Sequence, residues 1–567
     1  MHTRQQMWNR LEGPVDLLII GGGINGAGIA RDASRRGLRV ALVEMSDLAF
    51  GTSSRSSKLV HGGLRYLEQF EFGLVFESVS ERRILLDIAP HLVNPLGFLF
   101  PVYQQSRHNL LTINAGMWLY EGLSLFRSPK RHRRIGPEDV AQEEPCLKRE
   151  GFKGAPLYYD CSTDDARLTL ESALDAADQG AIIATWTKAV AFHKNASGRI
   201  TEVEVEDQLT QERKVLQAHA IINATGPWTD RTIGMSQELK GGSLLRPTQG
   251  SHIVVEYSKL PVRNAVVCFH PEDGRVLFAI PWGDRTYLGT TDTDFNGDPA
   301  EVVATSDDVA YIIDASNAYF PDNPLTPDDV ISTWSGLRPL MRPTKGGSDV
   351  DESSVSREHQ IVVGQDGLIT IAGGKLTTYR KMSKEVVDKA VKLLRLSGQL
   401  PDNLAPAHTD REPLPGAVGW PEDDDHDNVI RQVAEAGGSA LSDASARELT
   451  RTYGMRALAI AALVRDNPEL AEPLNPGRPE VLAQVDWSVE QELAVTIEDV
   501  LVRRTQIFFR DFDQGLGGLD KVADRMAHLL GWDDATRQAR IDDYRRLVED
   551  SRSWQHGSSN TTETPAA

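Results

Sequence analysis

Serines, a lysine, a histidine, two glycines and an arginine crowd into SSKLVHGGLRYLE, residues 56–68. A packed helix would repeat apolar positions here; this stretch instead supplies hydroxyls, turn-forming glycines and fixed positive charge. Those groups suit a phosphorylated ligand. Cations recur beside glycine turns or strand ends far along the chain: Arg65 follows HGGL, Arg338 lies in SGLRPL, Arg357 in SREHQ and Lys375 in AGGKLTTYR. An arginine fork matches phosphate oxygens, and a lysine adds a compact charge. Each well-made charged hydrogen bond contributes about 1.5–3 kcal/mol, so a converging set would hold an anion despite a formal net charge of -20. Tyr66 can shape that pocket or donate a hydrogen bond to it. The competing reading makes each cation a solvated or weakly paired surface group, and Tyr66 a core residue.

The elements that must position these groups begin with DLLIIGGGINGAGIARDASRRGLRVALVE. Residues 16–20 read as a short apolar strand, Ile24 to Arg36 as a helix and Arg39 to Val43 as the next strand. Gly21, Gly23 and Gly26 give the GxGxxG spacing between the first strand and that helix. They allow a tight turn, close approach of a pyrophosphate and close strand–helix packing. Amides at the helix start favour the phosphates, and Glu44, ending the second strand, can accept hydrogen bonds from an adenosine ribose. This is a dinucleotide site, although the motif alone does not separate FAD from NAD. In FGTSSRSSKLVHGG, just beyond Glu44, Thr52, Ser53, Ser56 and Ser57 can bind pyrophosphate, ribityl or flavin edges, with His61 organising the loop. The alternative there is a solvated serine-rich loop.

Two later turns extend the pattern. Thr225-Gly226-Pro227 leaves the strand HAIINATG tightly enough to bring backbone to a dinucleotide. IVVGQDGLITIAGGKLTTYRKMSKEVVDKAV offers two short strands, a Gly373-Gly374 turn and a helix. It places Gly374, Lys375, Leu376 and Thr377 where helix amides favour negative charge on a reduced flavin ring. A complementary turn so far from GxGxxG points to a split FAD protein over a simple NAD dehydrogenase.

The expected fold class is mixed α/β and α+β: a discontinuous FAD-binding Rossmann-like domain, an antiparallel substrate domain and a helical C-terminal domain. FAD-binding segments fall at 14–85, 161–245 and 336–400, the last also closing the pocket. Substrate or cap segments fall at 86–160 and 246–335; in the second, SHIVVEY, AVVCFH, RVLFAIPW and RTYLGTTD alternate as antiparallel strands do. DCSTDDARLTLESALDAADQG enters a helix with Ser162, Thr163 or Asp164 available as cap. Prolines mark 401–425 as a linker, amphipathic stretches make 426–550 helical, and polar composition makes 551–567 a disordered tail.

With 567 residues, 40% of them apolar and 25% charged, the chain has an ordinary soluble globular composition. Its acidity argues against a broad nucleic-acid interface. Cys146, Cys161 and Cys268 form no CxxC pair or repeated ligand spacing, so free thiols in a reducing compartment are expected, with no metal centre. No charge-poor run is long enough to cross a bilayer, and the N-terminus lacks the apolar core of a secretory signal. Basic Lys130, Arg131, Arg133 and Arg134 follow the apolar MWLYEGLSLF and can approach anionic lipids; a solvated charged turn is the competing reading. The expected location is cytoplasmic, peripheral on the cytoplasmic face of the cell membrane.

Taken together, GGGINGAGIA, TSSRSSKLVHGGLRYLE, YYDCSTDDARL, NATGPW, QGSHIVV, IPWGDRTYLGTTD, SGLRPL and AGGKLTTYR closely resemble FAD-dependent glycerol-3-phosphate dehydrogenases, over most of residues 16–391. The resemblance implies oxidation of sn-glycerol 3-phosphate to dihydroxyacetone phosphate, with hydride passing from the secondary carbon to FAD while the hydroxyl loses a proton. It implies that Arg65, Arg338, Arg357 and Lys375 bind phosphate or stabilise the reacting oxygen, beside Tyr66, with His252, Arg338 and Lys375 in the catalytic set. His252 is the first candidate for proton acceptor; His61 and water are the others. Implied partners are glycerol 3-phosphate, a membrane quinone, an anionic membrane surface and a second copy in a homodimer, without nucleic acid. Oxygen as electron acceptor, an amino-acid or amine oxidase, and a flavin-bound membrane interaction protein with little turnover are the alternative readings.

Overall fold

A computed structural model describes residues 3–67, 70–107, 109–125, 127–236, 242–342, 359–400 and 404–557. The side chain of Arg65 and the whole of Arg357 lie outside the described residues.

Every residue of the strand Val15–Ile20 is buried, as a strand covered on both faces requires. Leu17 and Ile19 pack among helices, while Leu18 and Ile20 pack on the opposite face against Val203, Val205 and Leu216. The strand pairs in parallel with Val40–Val43 on one side and Arg213–Asn223 on the other. Ile182–Ala184 and Ile369–Ala372 extend the parallel array outward, and Gln360–Val363 adds an antiparallel edge. Helices Ile24–Arg35, Asp165–Asp178 and Tyr379–Leu396 cover one face through alanines and aliphatic side chains. An antiparallel meander of Thr187–Lys194, Ile200–Asp207 and Arg213–Asn223 covers the other. This Rossmann-like layer is therefore assembled from three separate stretches of chain.

The second sheet is organised by Leu245–Glu256, which pairs with Val330–Met341 along most of its length and with Arg285–Gly289 on its other side. Val276–Trp282 and Ala265–Phe269 follow in antiparallel order. Hairpin connections dictate that order. Val93–Leu99 arrives from a distant segment and joins Ala265–Phe269 in parallel, and Phe152–Thr163 pairs antiparallel beside it. Phe152–Thr163 runs unbroken past residue 160 and Val330–Met341 past 335. The sheet thus keeps residues that the sequence divided between domains. Leu59–Val60, inside the first FAD-binding segment, also pairs with this sheet. Helix Ser306–Tyr319 covers one face, and the other meets the C-terminal helices through Trp334, Phe508 and Phe509.

The C-terminal region is helical from His426 to Ser551. Two expectations at its borders differ from what is seen. From residue 404 the presumed linker packs: Leu414 is buried with Leu85 and Ile88, and the Gly416 amide donates to Glu171 at 3.0 Å. The presumed tail begins too early, because Trp554 is buried against the helix-covered face of the second sheet. A large aromatic ring recovers too much apolar burial to remain in water. Residues 558–567 of that tail lie outside the described residues.

Buried charge joins the C-terminal helices to the FAD-binding layer. Asp47, fully buried, accepts from Arg503 Nε at 2.5 Å and from Arg504, both arginines being buried as well. Removing Asp47 would take from buried Arg504 its carboxylate, while Arg503 keeps Glu498 and Asp499. Asp47→Ala should therefore destabilise the protein by about 3–5 kcal/mol, and adding Arg504→Met should recover part of that loss. Denaturant melts of the two variants check this; a single-variant loss within about 0.5 kcal/mol of wild type, the range of ordinary surface substitutions, would contradict it.

Candidate active site

The carboxyl ends of the parallel strands open onto a cavity of about 540 Å³, within the size range of small-molecule sites. Gly21, Gly23, Glu44, Gly226 and Gly374 line it from the parallel layer, and His252, Gly336 and Arg338 from the second sheet. Thr52, Ser53, Ser56, Ser57, His61, Tyr66, Lys375, Leu376 and Thr377 complete the set of expected residues found there. Gly26 lies behind the wall, in the first turn of helix Ile24–Arg35.

Two glycines are required by close approach. A Cβ on Gly21, whose φ is +110°, would stand 2.6 Å from the Ala224 carbonyl oxygen; one on Gly26 would stand 1.8 Å from that of Gly21. Glu44 accepts hydrogen bonds from the Gly22 amide at 2.6 Å and the Ser46 amide at 3.0 Å. Burial raises its pKa while these amides oppose the shift. The carboxylate is thus fixed at the strand end where a ribose would meet it.

The loop hydroxyls divide their tasks. Ser53 Oγ accepts from the Ile24 amide at 2.9 Å, and Thr52 Oγ1 donates to the Leu337 carbonyl at 2.6 Å. Ser56 Oγ donates to Asp165 at 2.7 Å and accepts from the Lys58 amide at 3.0 Å. Ser56 therefore braces the loop, leaving little of its hydroxyl for a ligand. The His61 amide donates to Thr377 Oγ1 at 3.1 Å, tying the SSKLVHGG loop to the segment after Gly373-Gly374.

Lys375 Nζ sits 3.7 Å from the centre of the buried Tyr66 ring, a cation–π contact. Arg338 is held by Asp292 at 2.9 Å and by Thr290 Oγ1, the Thr291 carbonyl and the Gln249 carbonyl at 3.0, 3.1 and 3.2 Å. This pairing was not evident in the sequence; Asp292 stands in TTDTD, among residues read only as a strand end. His252 stacks on Trp334, with ring centres 4.7 Å apart, and shares a 2.9 Å hydrogen bond with Ser57 Oγ through Nε2. Burial, then the charges of Arg338 and Lys58, hold its pKa well below the ordinary imidazole value. Burial and a positive surrounding thus disfavour protonation of His252.

Sequence reasoning also missed the brace under this site. Lys58, buried and at φ +51°, donates to Asp165 at 2.7 Å and to the Ser54 carbonyl at 3.1 Å. The signal was the acidic pair in STDDARL: Asp164 caps the helix by accepting from the Arg167 amide, which leaves Asp165 to hold the loop. Arg55, between the loop serines, is a further lining residue that was not singled out.

A glycine-floored cleft with a fixed acid beyond the second strand fits FAD: where side chains are excluded, backbone can approach a diphosphate. Residues 16–380 match the FAD dependent oxidoreductase family model, and residues 407–537 match that of the C-terminal domain of alpha-glycerophosphate oxidase. The chain is 37% identical over 545 residues to an aerobic glycerol-3-phosphate dehydrogenase of Staphylococcus aureus (strain USA300), covering 96% of this chain and 95% of that one. It also resembles the crystal structure of glycerol-3-phosphate dehydrogenase from Bacillus halodurans complexed with FAD. There the TM-score is 0.78 at 33% identity, over 96% of both chains. L-alpha-glycerophosphate oxidase from Mycoplasma pneumoniae shares the fold at 18% identity, with a TM-score of 0.52 over 71% of this chain and 100% of that one. Full-length similarity and a cleft that fits FAD agree: the chain belongs to the FAD-dependent glycerol-3-phosphate dehydrogenase family.

Proposed function

We propose that this FAD-dependent oxidoreductase oxidises sn-glycerol 3-phosphate to dihydroxyacetone phosphate and passes the electrons to a membrane quinone. One observation carries the chemistry: His252, bonded to Ser57, opens on the same cavity as Arg338, Lys375 and the glycine floor. Bound FAD supplies the acceptor for the hydride that leaves the secondary carbon of the substrate. His252 takes the hydroxyl proton, for which its imidazole must be unprotonated beforehand. Ser57 fixes the ring, and Trp334 backs it. Arg338 and Lys375 favour the negative charge that develops on the reacting oxygen or rests on the phosphate. Asp292 and the face of Tyr66 keep those two cations in place without expelling them to water. The family resemblance implies that Arg65 and Arg357 also bind the phosphate or stabilise the reacting oxygen.

The exposed apolar surface supports a peripheral membrane position. Helix Leu110–Leu123 carries Leu111, Trp118 and Leu119 on one outward stripe, Leu111 and Trp118 being 81% and 61% exposed. Phe70, Phe72 and Phe76 are exposed at the start of helix Phe72–Ile88, which packs beside it. Arg127, Lys130, Arg131, Arg133 and Arg134 follow, all exposed. Aromatic and aliphatic groups next to a basic fringe suit the interface of an anionic membrane. Among the described residues, no helix is long and apolar enough to cross one.

Arg338→Ala and Lys375→Ala should each lower kcat/KM by about 10- to 100-fold while retaining FAD; unchanged kinetics in both would remove them from the site. In the pH profile of flavin reduction, the limb assigned to His252 should lie below about 6.5 and vanish in His252→Asn, whereas substrate ionisation persists in both. A His252-dependent limb above that value would contradict the neutral base. Because the fold resists protonation of His252, stability should decline as pH falls below about 6.5 toward the native pKa, where the unfolded chain binds the proton first. Trp118→Asp with Leu111→Asp should abolish co-sedimentation with anionic vesicles and leave reduction of a water-soluble quinone analogue unaltered. Retained sedimentation would exclude this face.

A further inference from the structure

Arg55 lies within GTSSRSSK and lines the cofactor cavity. Among the described residues no carboxylate, hydroxyl or carbonyl pairs with its guanidinium, which lies over the face of Phe50, 5.6 Å from the ring centre. Arg338 and Arg231, which line the same cavity, each have a carboxylate: Asp292 at 2.9 Å and Asp298 at 3.0 Å. The Arg55 side chain is half-buried, and burial pulls its pKa down, with Glu498 opposing and Arg503 adding to the shift. A desolvated cation whose opposing carboxylate, Glu498, stands beyond ion-pair distance is costly unless a ligand brings an anion into contact.

The loop's attachment says where that anion lies. The Ala49 amide donates to the Gly22 carbonyl at 3.1 Å, so the segment carrying Phe50 and Arg55 rests on the glycine turn. At that turn the first helix amide, Ile24 N–H, is already taken by Ser53 Oγ at 2.9 Å. The donor that the dinucleotide motif offers to phosphate is therefore partly engaged by the protein itself. We propose that Arg55 binds the diphosphate of FAD and supplies the fixed positive charge that this glycine turn lacks.

The inference rests on the cavity being the FAD site, and its test separates the two. FAD released from diluted holoenzyme is measured by recovery of flavin fluorescence, with ADP or adenosine added as competitor, for wild type, Arg55→Lys and Arg55→Ala. Arg55→Ala should weaken FAD and ADP by about 10- to 100-fold, as loss of one charged partner predicts. Arg55→Lys should recover part of the loss, adenosine competition should not change, and KM for glycerol 3-phosphate at saturating FAD should be unaltered. Equal FAD and ADP affinities in folded Arg55→Ala would overturn the proposal. So would an equal loss for adenosine, or a raised KM with FAD affinity intact, which would assign Arg55 to the substrate phosphate. Wild-type protein that retains no FAD and does not respond to ADP would instead overturn the cavity's assignment.

Discussion

Backbone lies against backbone where the first strand ends: the Ala224 carbonyl oxygen is 2.6 Å from the place a Cβ on Gly21 would occupy. That contact joins two strands whose residues are far apart in the chain. Gly26, closed just as tightly against the Gly21 carbonyl, lets helix Ile24–Arg35 lie on the sheet. Helices Asp165–Asp178 and Tyr379–Leu396 pack on that helix in turn. The helix at 165 carries the acid that holds the serine loop, and the one at 379 follows the turn that presents Lys375. A side chain at either glycine would shift all three helices, so the cavity depends on a floor made of main chain.

Buried charge then locks the walls to that floor. Lys58 and Ser56 meet Asp165, while the Gly62 amide donates to Tyr120 Oη at 2.9 Å and to Asp160 at 3.3 Å. Arg82 pairs with Asp160, and Arg167 pairs with Glu492 of the C-terminal helices at 2.7 Å. Such pairs contribute little net stability compared with apolar packing, but an unpartnered member is strongly unfavourable. They therefore act as registration points, fixing which stretch faces which across the three segments. The positive cavity follows from the same economy of pairing: Arg338 is held by Asp292 and Lys375 by an aromatic face, and both line the cavity.

Much of the parallel layer was legible because its signals are local. GxGxxG between an apolar strand and a helix, with Glu44 after the next strand, needs only adjacent residues to be read, and helix Ile24–Arg35 follows it closely. The Gly373-Gly374 turn was legible by the same logic. What resisted were contacts made by tertiary pairing. Ser56 looked like a ligand hydroxyl until Asp165 was seen to claim it, and the crowding of SSKLVHGG proves to be partly a bracing device. Prolines in 401–425 suggested a linker, yet the packing of Leu414 and the Gly416–Glu171 bond hold part of it in place. The 551–567 tail was judged from overall polarity, which gives one tryptophan too little weight. Arg55 is not legible in the sequence, because a cation amid serines has no signature distinguishing a ligand contact from a surface charge.

The most direct measurement is anaerobic addition of glycerol 3-phosphate to the FAD-loaded protein while the absorbance of oxidised flavin is followed. Rapid bleaching, with dihydroxyacetone phosphate formed in equal amount and no bleaching by amino acids or amines, is the predicted result. Flavin that stays oxidised with glycerol 3-phosphate but is reduced by an amine would contradict the account at its centre.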